Sequence, residues 1–152
     1  MKRNLRMWLN LYPPLRGAGI RVTRASADWR EIDVEMKLRW WNRNAVGTHY
    51  GGSLYSMTDP FFMLMLIQNL GKDYIVWDKA ASIRFKKPGR GTVFANFRLS
   101  EEQIAEITQA LTSPENEKIE RVFTVEVKDE SGTIIAEVEK LLHIRRKGQS
   151  SS

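Results

Sequence analysis

The sequence predicts an α+β domain in which an antiparallel sheet wraps around one central apolar helix. Three observations carry this prediction. Segments of alternating apolar and polar residues recur along the chain, as in strands with one buried face. Turn residues, such as those at 88–91 and 129–132, separate several of these segments. Residues 61–67 are all apolar, and a helix that is apolar on every side must be surrounded by other elements.

The first predicted element is a short amphipathic helix over residues 2–12, within an N-terminal segment 1–14. Pro13–Pro14 is expected to end it. We expect it to pack on the edge of the domain, and the alternative is a helix that lies on a membrane surface. The apolar side chains on one face are Leu5, Trp8, Leu9 and Tyr12.

Six segments have the period of strands. The four after residue 74 have mostly short connections, which favours an antiparallel meander. Lys140 interrupts the apolar face of the last strand, which we interpret as a twist or bulge. His143 shares the other face with two glutamates, so we expect it to be solvated. The strand segments are residues 20–25, 31–38, 82–86, 93–99, 123–127 and 136–144.

Two further helices are expected. One covers residues 101–111, where Ser100 and Gln103 form a capping box. The other lies within residues 52–70. If it begins at the double glycine, Pro60 falls in its second turn; if it begins at residue 60, Asp59 is only its N-cap. A sheet wrapped around one such helix is the hotdog architecture.

Length and composition indicate one domain, residues 1–147, followed by a disordered tail, 148–152. The chain has no cysteine, which excludes disulfides, thiolate metal sites and a cysteine nucleophile. Its two histidines are too few for a histidine-dominated metal site. The longest apolar stretch, residues 60–70, is shorter than the roughly 20 residues that span a bilayer. Without a secretory pattern, a cytoplasmic location is expected.

The net charge of +6 belongs to the N-terminal arm. Six basic and no acidic residues precede Asp28, and the rest of the chain has 18 of each. This distribution does not indicate a nucleic-acid footprint, so a nucleic-acid-binding protein is only a distant alternative.

The most informative segment is residues 44–53, Asn-Ala-Val-Gly-Thr-His-Tyr-Gly-Gly-Ser, followed by Asp59. Over residues 30–145 the sequence resembles the hotdog-fold acyl-CoA thioesterases, especially the phenylacetyl-CoA type and an uncharacterised DUF4442-like branch. The resemblance implies that Asn44 and Gly51–Gly52 line the thioester site and that Asp59 is general base or nucleophile. It implies no metal and no cofactor apart from the coenzyme A of the substrate. Well-known members have histidine directly before the glycines, where this chain has Tyr50, and His49 lies one place earlier.

Physical chemistry supports such a site. We expect the N–H of Gly52, with Ser53 or Gly51 nearby, to stabilise the thioester oxyanion. An Asp59 carboxylate facing an apolar cleft would have a raised pKa and could take a proton from water. Seven residues place Asp59 on the helix face of Gly52 but about 10 Å further along the axis. We therefore expect a homodimer with two shared sites, and the resemblance implies that such dimers often pair into tetramers.

Several alternatives remain open. Asn44 could simply close an Asx turn and orient no substrate or water, and His49 could be a hydrogen-bonded loop residue and not a catalyst. A non-catalytic module that binds acyl-CoA or fatty-acyl groups is the second functional hypothesis, and a dehydratase that uses His49 with Asp59 is the third. A basic cluster is expected either to bind the phosphates of coenzyme A or to be solvated; its members are Arg84, Lys86, Lys87 and Arg90.

Overall fold

The structure is a computed structural model and describes residues 5–148. Residues 1–4 and 149–152 lie outside it, so the start of the predicted N-terminal helix and most of the predicted disordered tail have no structural test. The helices are α1 (Leu5–Leu11), α2 (Pro13–Ala18), α3 (Gly51–Ser56), α4 (Phe61–Leu70) and α5 (Glu101–Thr112). The strands are β1 (Ile20–Ala25), β2 (Glu31–Lys37), β3 (Tyr74–Phe85), β4 (Thr92–Arg98), β5 (Lys118–Asp129) and β6 (Ile134–Arg146).

The strands form one antiparallel sheet in the order β1-β2-β4-β5-β6-β3. The predicted meander is right for β4, β5 and β6 but wrong for β3, which crosses to the far edge and pairs with β6. The basic segment that begins at Arg84 therefore does not turn a hairpin, because β3 and β4 are not neighbours. Residues 86–91 instead belong to a crossover connection from the edge strand β3 to the internal strand β4.

Helix α4 packs against the sheet through aromatic side chains. The Phe61 and Phe62 rings lie 4.8 and 5.2 Å from the ring of Phe97 on β4, and Phe62 lies 5.0 Å from Phe123 on β5. Buried aromatic pairs at these distances contribute about 0.5–1.5 kcal/mol beyond the burial of their area. The apolar run is therefore the core of an α+β fold in which the sheet covers a central helix, as the sequence predicted.

The central helical segment is broken, which corrects the expectation of one helix. It begins at Gly51 and stops after Ser56, and α4 begins only at Phe61. Pro60 has no N–H with which to continue the helical bonding to Ser56. The Asp59 N–H instead donates to the Ser56 carbonyl over 3.3 Å, in a tight turn. Asp59 does not cap α4 either, because the N-cap is Pro60 and no side chain of residues 5–148 forms a capping hydrogen bond there.

The N-terminal segment folds as two helices, so Pro13–Pro14 starts a new helix as well as ending the first. Leu5 and Leu9 are buried as expected, but Trp8 and Tyr12 of the predicted buried face are exposed and stack on each other. At the edge of the sheet formed by β1, the side chain of Asn10 hydrogen-bonds to the strand backbone. Its Nδ2 donates to the Val22 carbonyl over 3.0 Å, and the Val22 N–H donates to its Oδ1 over 2.8 Å.

The structure confirms the prediction for the start of α5 and corrects the prediction for His143. The capping box of α5 is confirmed, with the Gln103 N–H donating to Ser100 Oγ over 3.1 Å. The prediction that His143 is solvated is wrong: its ring is buried and stacks on Trp77 of the neighbouring β3, 4.1 Å away. Among residues 5–148, no helix has the length and apolar character needed to cross a membrane.

Candidate active site

The loop before α3 is organised by the side chain of Asn44. Its Oδ1 accepts the N–H groups of Val46 and Thr48 over 3.1 and 3.0 Å, and its Nδ2 donates to Thr48 Oγ1 over 2.8 Å. Gly47 completes the turn at φ +81°, a conformation that favours glycine. Asn44 is therefore the Asx-turn residue of this loop, and any contact of its amide with a substrate remains a prediction.

His49 is buried and joins this loop to the crossover segment. Its Nε2 lies 2.8 Å from the Gly91 carbonyl, and its backbone N–H donates to the Gly89 carbonyl over 2.9 Å. Because a carbonyl can only accept, Nε2 carries the proton and Nδ1 is an acceptor, which has no partner among residues 5–148. Burial lowers the pKa of His49 below its ordinary 6.5, and the Gly91 carbonyl opposes this shift. His49 is thus a neutral side chain that links the loop before α3 to the crossover segment.

The start of α3 leaves two backbone donors free. The N–H groups of Ser53 and Leu54 both donate to the Tyr50 carbonyl, so Ser53 is not a free oxyanion donor. The N–H groups of Gly51 and Gly52 have no acceptor within residues 5–148, and no side chain caps this end. Since α3 has only six residues, its dipole is weak, and these two N–H groups are themselves the polar feature.

Two half-exposed aromatic rings cover the glycine pair. A Cβ on Gly52 would lie 2.6 Å from Cε1 of Tyr50, and a Cβ on Gly51 would lie 3.0 Å from Cζ of Phe85. Both rings are 57% exposed. The absence of side chains at these two positions therefore gives the rings room against the backbone beside the free N–H groups.

A cleft of about 370 Å³ opens beside the glycine pair. It brings together Asn44, His49, Gly51, Lys86 and Lys87 of the residues predicted from the sequence. Its other lining residues are Thr48, Leu54, Phe85, Pro88 and Gly89.

The basic residues differ in their surroundings. Lys86 lies 3.5 Å from a carboxylate oxygen of Glu137, whereas no carboxylate pairs with Lys87 among the described residues. Arg84 and Arg90 are exposed and do not line the cleft. Lys87 is therefore the cation of this cluster best placed to meet an anionic ligand.

Asp59 lies outside this cleft. It lines a separate depression of about 220 Å³ between the α3–α4 turn and the N-terminal helices, together with Tyr12, Pro14, Leu15, Tyr55, Ser56, Pro60 and Met63. Asp59 and Gly51 thus line different depressions of one chain, and Gly52 lines neither of these two. Asp59 and the glycine pair do not lie on one helix, contrary to what we expected from the seven-residue spacing, because α3 ends at Ser56.

The surroundings of Asp59 differ from the apolar cleft that we expected. Its Oδ1 accepts hydrogen bonds from Lys140 Nζ over 2.9 Å and from the Tyr55 hydroxyl over 3.1 Å. Lys140 is fully buried, and its Nζ also lies 3.2 Å from Oδ2 of Asp78 on β3. The Asp59 side chain itself is half exposed, and its Oδ2 has no partner among the described residues.

These groups shift one another's protonation. Burial alone would lower the pKa of Lys140, but its hydrogen bond to Asp59 and the two carboxylate charges outweigh burial, so the pKa lies above the ordinary 10.5. Burial raises the pKa of Asp78 above 3.8; the Lys140 ammonium opposes this shift, and the Asp59 charge adds to it. Burial also raises the pKa of Tyr55 above 10.0, so its phenol remains a donor at neutral pH.

Sequence reasoning missed Lys140, Asp78 and Tyr55 as members of the site. The signal for Lys140 was present, because a charged residue at a core-facing position of an apolar strand is unusual. We interpreted it as a bulge, but Lys140 keeps its regular pairing with Ala81, and the irregularity lies in β3 between Asp78 and Ala80. Within residues 5–148 no group of three or more histidine and acidic side chains could hold a metal ion.

Comparisons with known proteins agree with the fold. Residues 2–144 match the model of a family described as "Domain of unknown function (DUF4442)". No curated protein matches the chain in sequence.

Several solved structures share the fold. PA5026 from Pseudomonas aeruginosa, described as a protein of unknown function and "Probable Thioesterase", superposes with a TM-score of 0.76 at 21% identity, over 93% of this chain and 97% of that chain. Thioesterase HI1161 from Haemophilus influenzae gives 0.69 at 13%, over 100% and 95%. The E. coli PaaI protein from the phenylacetic acid degradation operon gives 0.64 at 16%, over 96% and 92%. The molecule thus has the hotdog fold.

Proposed function

This chain belongs to the DUF4442 family, and we propose that it is a thioesterase that hydrolyses acyl-CoA. As a thioesterase-like hotdog protein it has the fold for this reaction, but fold alone does not imply activity. The observation that carries the proposal is the half-exposed carboxylate of Asp59, which is held through Oδ1 and whose Oδ2 has no partner within residues 5–148.

The proposed reaction needs one base and an oxyanion site. Asp59 Oδ2 accepts a proton from a water molecule as the water oxygen attacks the thioester carbonyl carbon. The carbonyl oxygen becomes negative and is held by the free N–H groups of Gly51 and Gly52. Collapse of this intermediate breaks the C–S bond, and the leaving thiolate takes up the proton. The products are a carboxylic acid and coenzyme A.

The two halves of this site come from two copies of the chain in our proposal. Strand β3 is an edge strand, and most of its residues are exposed, including the apolar side chains of Trp77 and Phe85. An open edge with apolar side chains is suited to pairing with a second strand. A two-fold pairing would place each Asp59 near the glycine pair of the other copy. Such a homodimer could pair again into a tetramer.

The surfaces suggest where each part of the substrate lies. Lys87, with Lys86 beside it, would meet the phosphates of coenzyme A at the mouth of the cleft. The acyl group would occupy the depression next to Asp59. At about 220 Å³, it exceeds the roughly 150 Å³ cavity that holds a benzene ring. We therefore expect aromatic or medium-length acyl groups to be cleaved faster than long chains.

Substitution of Asp59 tests the mechanism. Asp59→Asn keeps a carbonyl oxygen for Lys140 and Tyr55 but removes the base, so we expect a folded protein whose kcat for acyl-CoA falls by about 100-fold or more. Asp73→Asn is a matched control, because Asp73 is exposed and its side chain has no partner among residues 5–148. Unchanged hydrolysis in folded Asp59→Asn would contradict the mechanism, and acyl-CoA binding without turnover in the unmodified protein would favour the binding module.

Mixed dimers test the shared site. Asp59→Asn and Gly52→Ala proteins should each be inactive. After subunit exchange, half of the sites in each hybrid would combine an intact Asp59 with an intact Gly52, so about a quarter of wild-type activity should return. No recovery after verified exchange would mean that both groups come from the same chain.

A further inference from the structure

Lys140 is a charged side chain in the most buried row of the sheet. It points inward from β6 between Val138 and Leu142, and all three residues are fully buried. Removing an ammonium group from water is costly, and buried ion pairs are often no more stabilising than apolar residues of similar volume. Stability therefore does not account for a lysine at this buried position.

Three oxygen atoms surround the ammonium group. Asp59 Oδ1 lies 2.9 Å from Nζ, Asp78 Oδ2 3.2 Å and the Tyr55 hydroxyl 3.3 Å. Each comes from a different part of the chain: the α3–α4 turn, strand β3 and helix α3. Tyr55 also donates to Asp59 Oδ1, so that oxygen has two fixed donors while Oδ2 has none among the described residues. The Asp59 carboxylate is thus held through one oxygen, and the other oxygen is available to accept a proton.

Strand β3 is distorted where it supplies Asp78. The register with β6 shifts between Asp78 and Ala80, so that Lys79 is the extra residue of a bulge. Lys79 pairs outward with Glu120, whereas Asp78 reaches the buried ammonium. Bulges commonly re-aim a side chain next to a functional site. Here the bulge accompanies the contact of a second carboxylate with Lys140, 3.2 Å from Nζ.

We propose that Lys140 is a positioning residue for thioester hydrolysis: it fixes Asp59 through Oδ1 so that Oδ2 faces the substrate, and Asp78 anchors the ammonium through a second ion pair. The inference rests on the proposed role of Asp59 as base. Because Lys140 is fully buried, it does not touch the substrate. Its loss should therefore lower kcat and leave KM nearly unchanged.

The absence of cysteine from the chain permits a direct test. A Lys140→Cys protein contains a single thiol, which can be alkylated in denaturant before refolding. Aminoethylation restores an ammonium on a side chain of the same length as lysine, and propylation gives a neutral side chain of similar size. Comparing the two derivatives separates the charge at residue 140 from its volume.

We expect the propyl derivative to lose about 100-fold in kcat, the effect of a catalytic group misplaced by about 1 Å, and the aminoethyl derivative to recover most of it. The groups that face Nζ are Asp59, Asp78 and Tyr55. Without the ammonium, Asp59 and Asp78 lie close together with no positive charge to neutralise them, which favours protonation of one carboxylate. The acid limb of the pH profile of kcat/KM should therefore move to higher pH. A merely structural lysine would not produce this shift in a folded protein.

A second variant covers the case in which the neutral derivative does not refold. Lys140→Met combined with Asp78→Asn removes one positive and one negative charge together, and it should fold with the same loss of kcat. Equal kcat and equal pH profiles for charged and neutral derivatives, or full activity of the folded double variant, would overturn the inference. Either result beside an inactive Asp59→Asn would leave the proposed function standing, whereas an active Asp59→Asn would contradict the function itself.

Discussion

Replacing Gly52 with alanine should separate the stability of this protein from its activity. Gly52 has no positive φ, so its backbone accepts alanine without strain. Within a helix this change gains at most about 1 kcal/mol. The new Cβ would lie 2.6 Å from Cε1 of Tyr50, which forces that ring to move. Because the ring is 57% exposed, moving it should cost about 0.5–1.5 kcal/mol, as for a strained rotamer.

These terms nearly cancel, so the unfolding free energy of Gly52→Ala should stay within about 1 kcal/mol of wild type, a change in Tm of about 2–4 °C at most. Activity should fall much further. The Cβ and the displaced Tyr50 ring both fill space beside the free N–H groups, and losing an oxyanion donor costs about 100- to 1,000-fold in kcat. Urea unfolding and acyl-CoA hydrolysis on the same preparation measure both quantities.

Gly17→Ala is the matched control. Gly17 also lies in a short helix, and an added Cβ would meet no atom within 4 Å. It should therefore gain the helical contribution and leave hydrolysis unchanged. Wild-type activity in Gly52→Ala would refute the placement of the thioester carbonyl at the glycine pair. A loss of stability above about 2 kcal/mol would show that Tyr50 is not free to move.

Three further predictions concern stability. Ser100→Ala removes half of the capping box of α5 and should cost about 1 kcal/mol, seen as a lower urea midpoint with unchanged hydrolysis. Because the folded pKa of His49 lies below 6.5, the unfolded chain takes up the proton at higher pH than the folded chain, so the free energy of unfolding falls as pH drops below 6.5. His49→Gln should lessen that fall. An equally steep loss of unfolding free energy in the variant would contradict this. Because the folded pKa of Lys140 lies above 10.5, its contribution is present below 10.5 and lost at higher pH. As pH rises above 10.5, the unfolding free energy of the wild type should therefore fall relative to that of the Lys140→Met and Asp78→Asn double variant.

The periodicity of the sequence predicted most of the fold. Strand alternation and the fully apolar run at 61–67 locate the sheet and the helix that it covers, because burial of one face imposes the period. Strand pairing depends on contacts that are distant in sequence, and the residues of β3 do not by themselves indicate that this strand pairs with β6. The sequence left open whether the helix begins at the double glycine or at residue 60, since a helix can tolerate proline when neighbouring groups satisfy the freed carbonyl; the structure has a separate helix on each side of Pro60.

The candidate site was predictable only in part. The motif located Asn44, His49 and Gly51 beside one cleft, because these residues are close in sequence. The partners of Asp59 are far along the chain: Lys140 and Asp78 meet it only after β3 and β6 pair. Local chemistry therefore identified the carboxylate, whereas the tertiary fold decides which groups hold it.

Asn10 has a consequence for assembly that extends beyond a single pair of molecules. Its side-chain amide occupies both the N–H and the carbonyl of Val22, as a further strand would, so a new strand cannot pair with β1 at this residue. If two copies pair through β3, as we propose, the contact of Asn10 with Val22 should keep a third copy from adding at β1, so that pairing stops at two chains instead of propagating into a fibre. Asn10→Ala would unblock the second edge, and light scattering that rises with protein concentration would report the polymer.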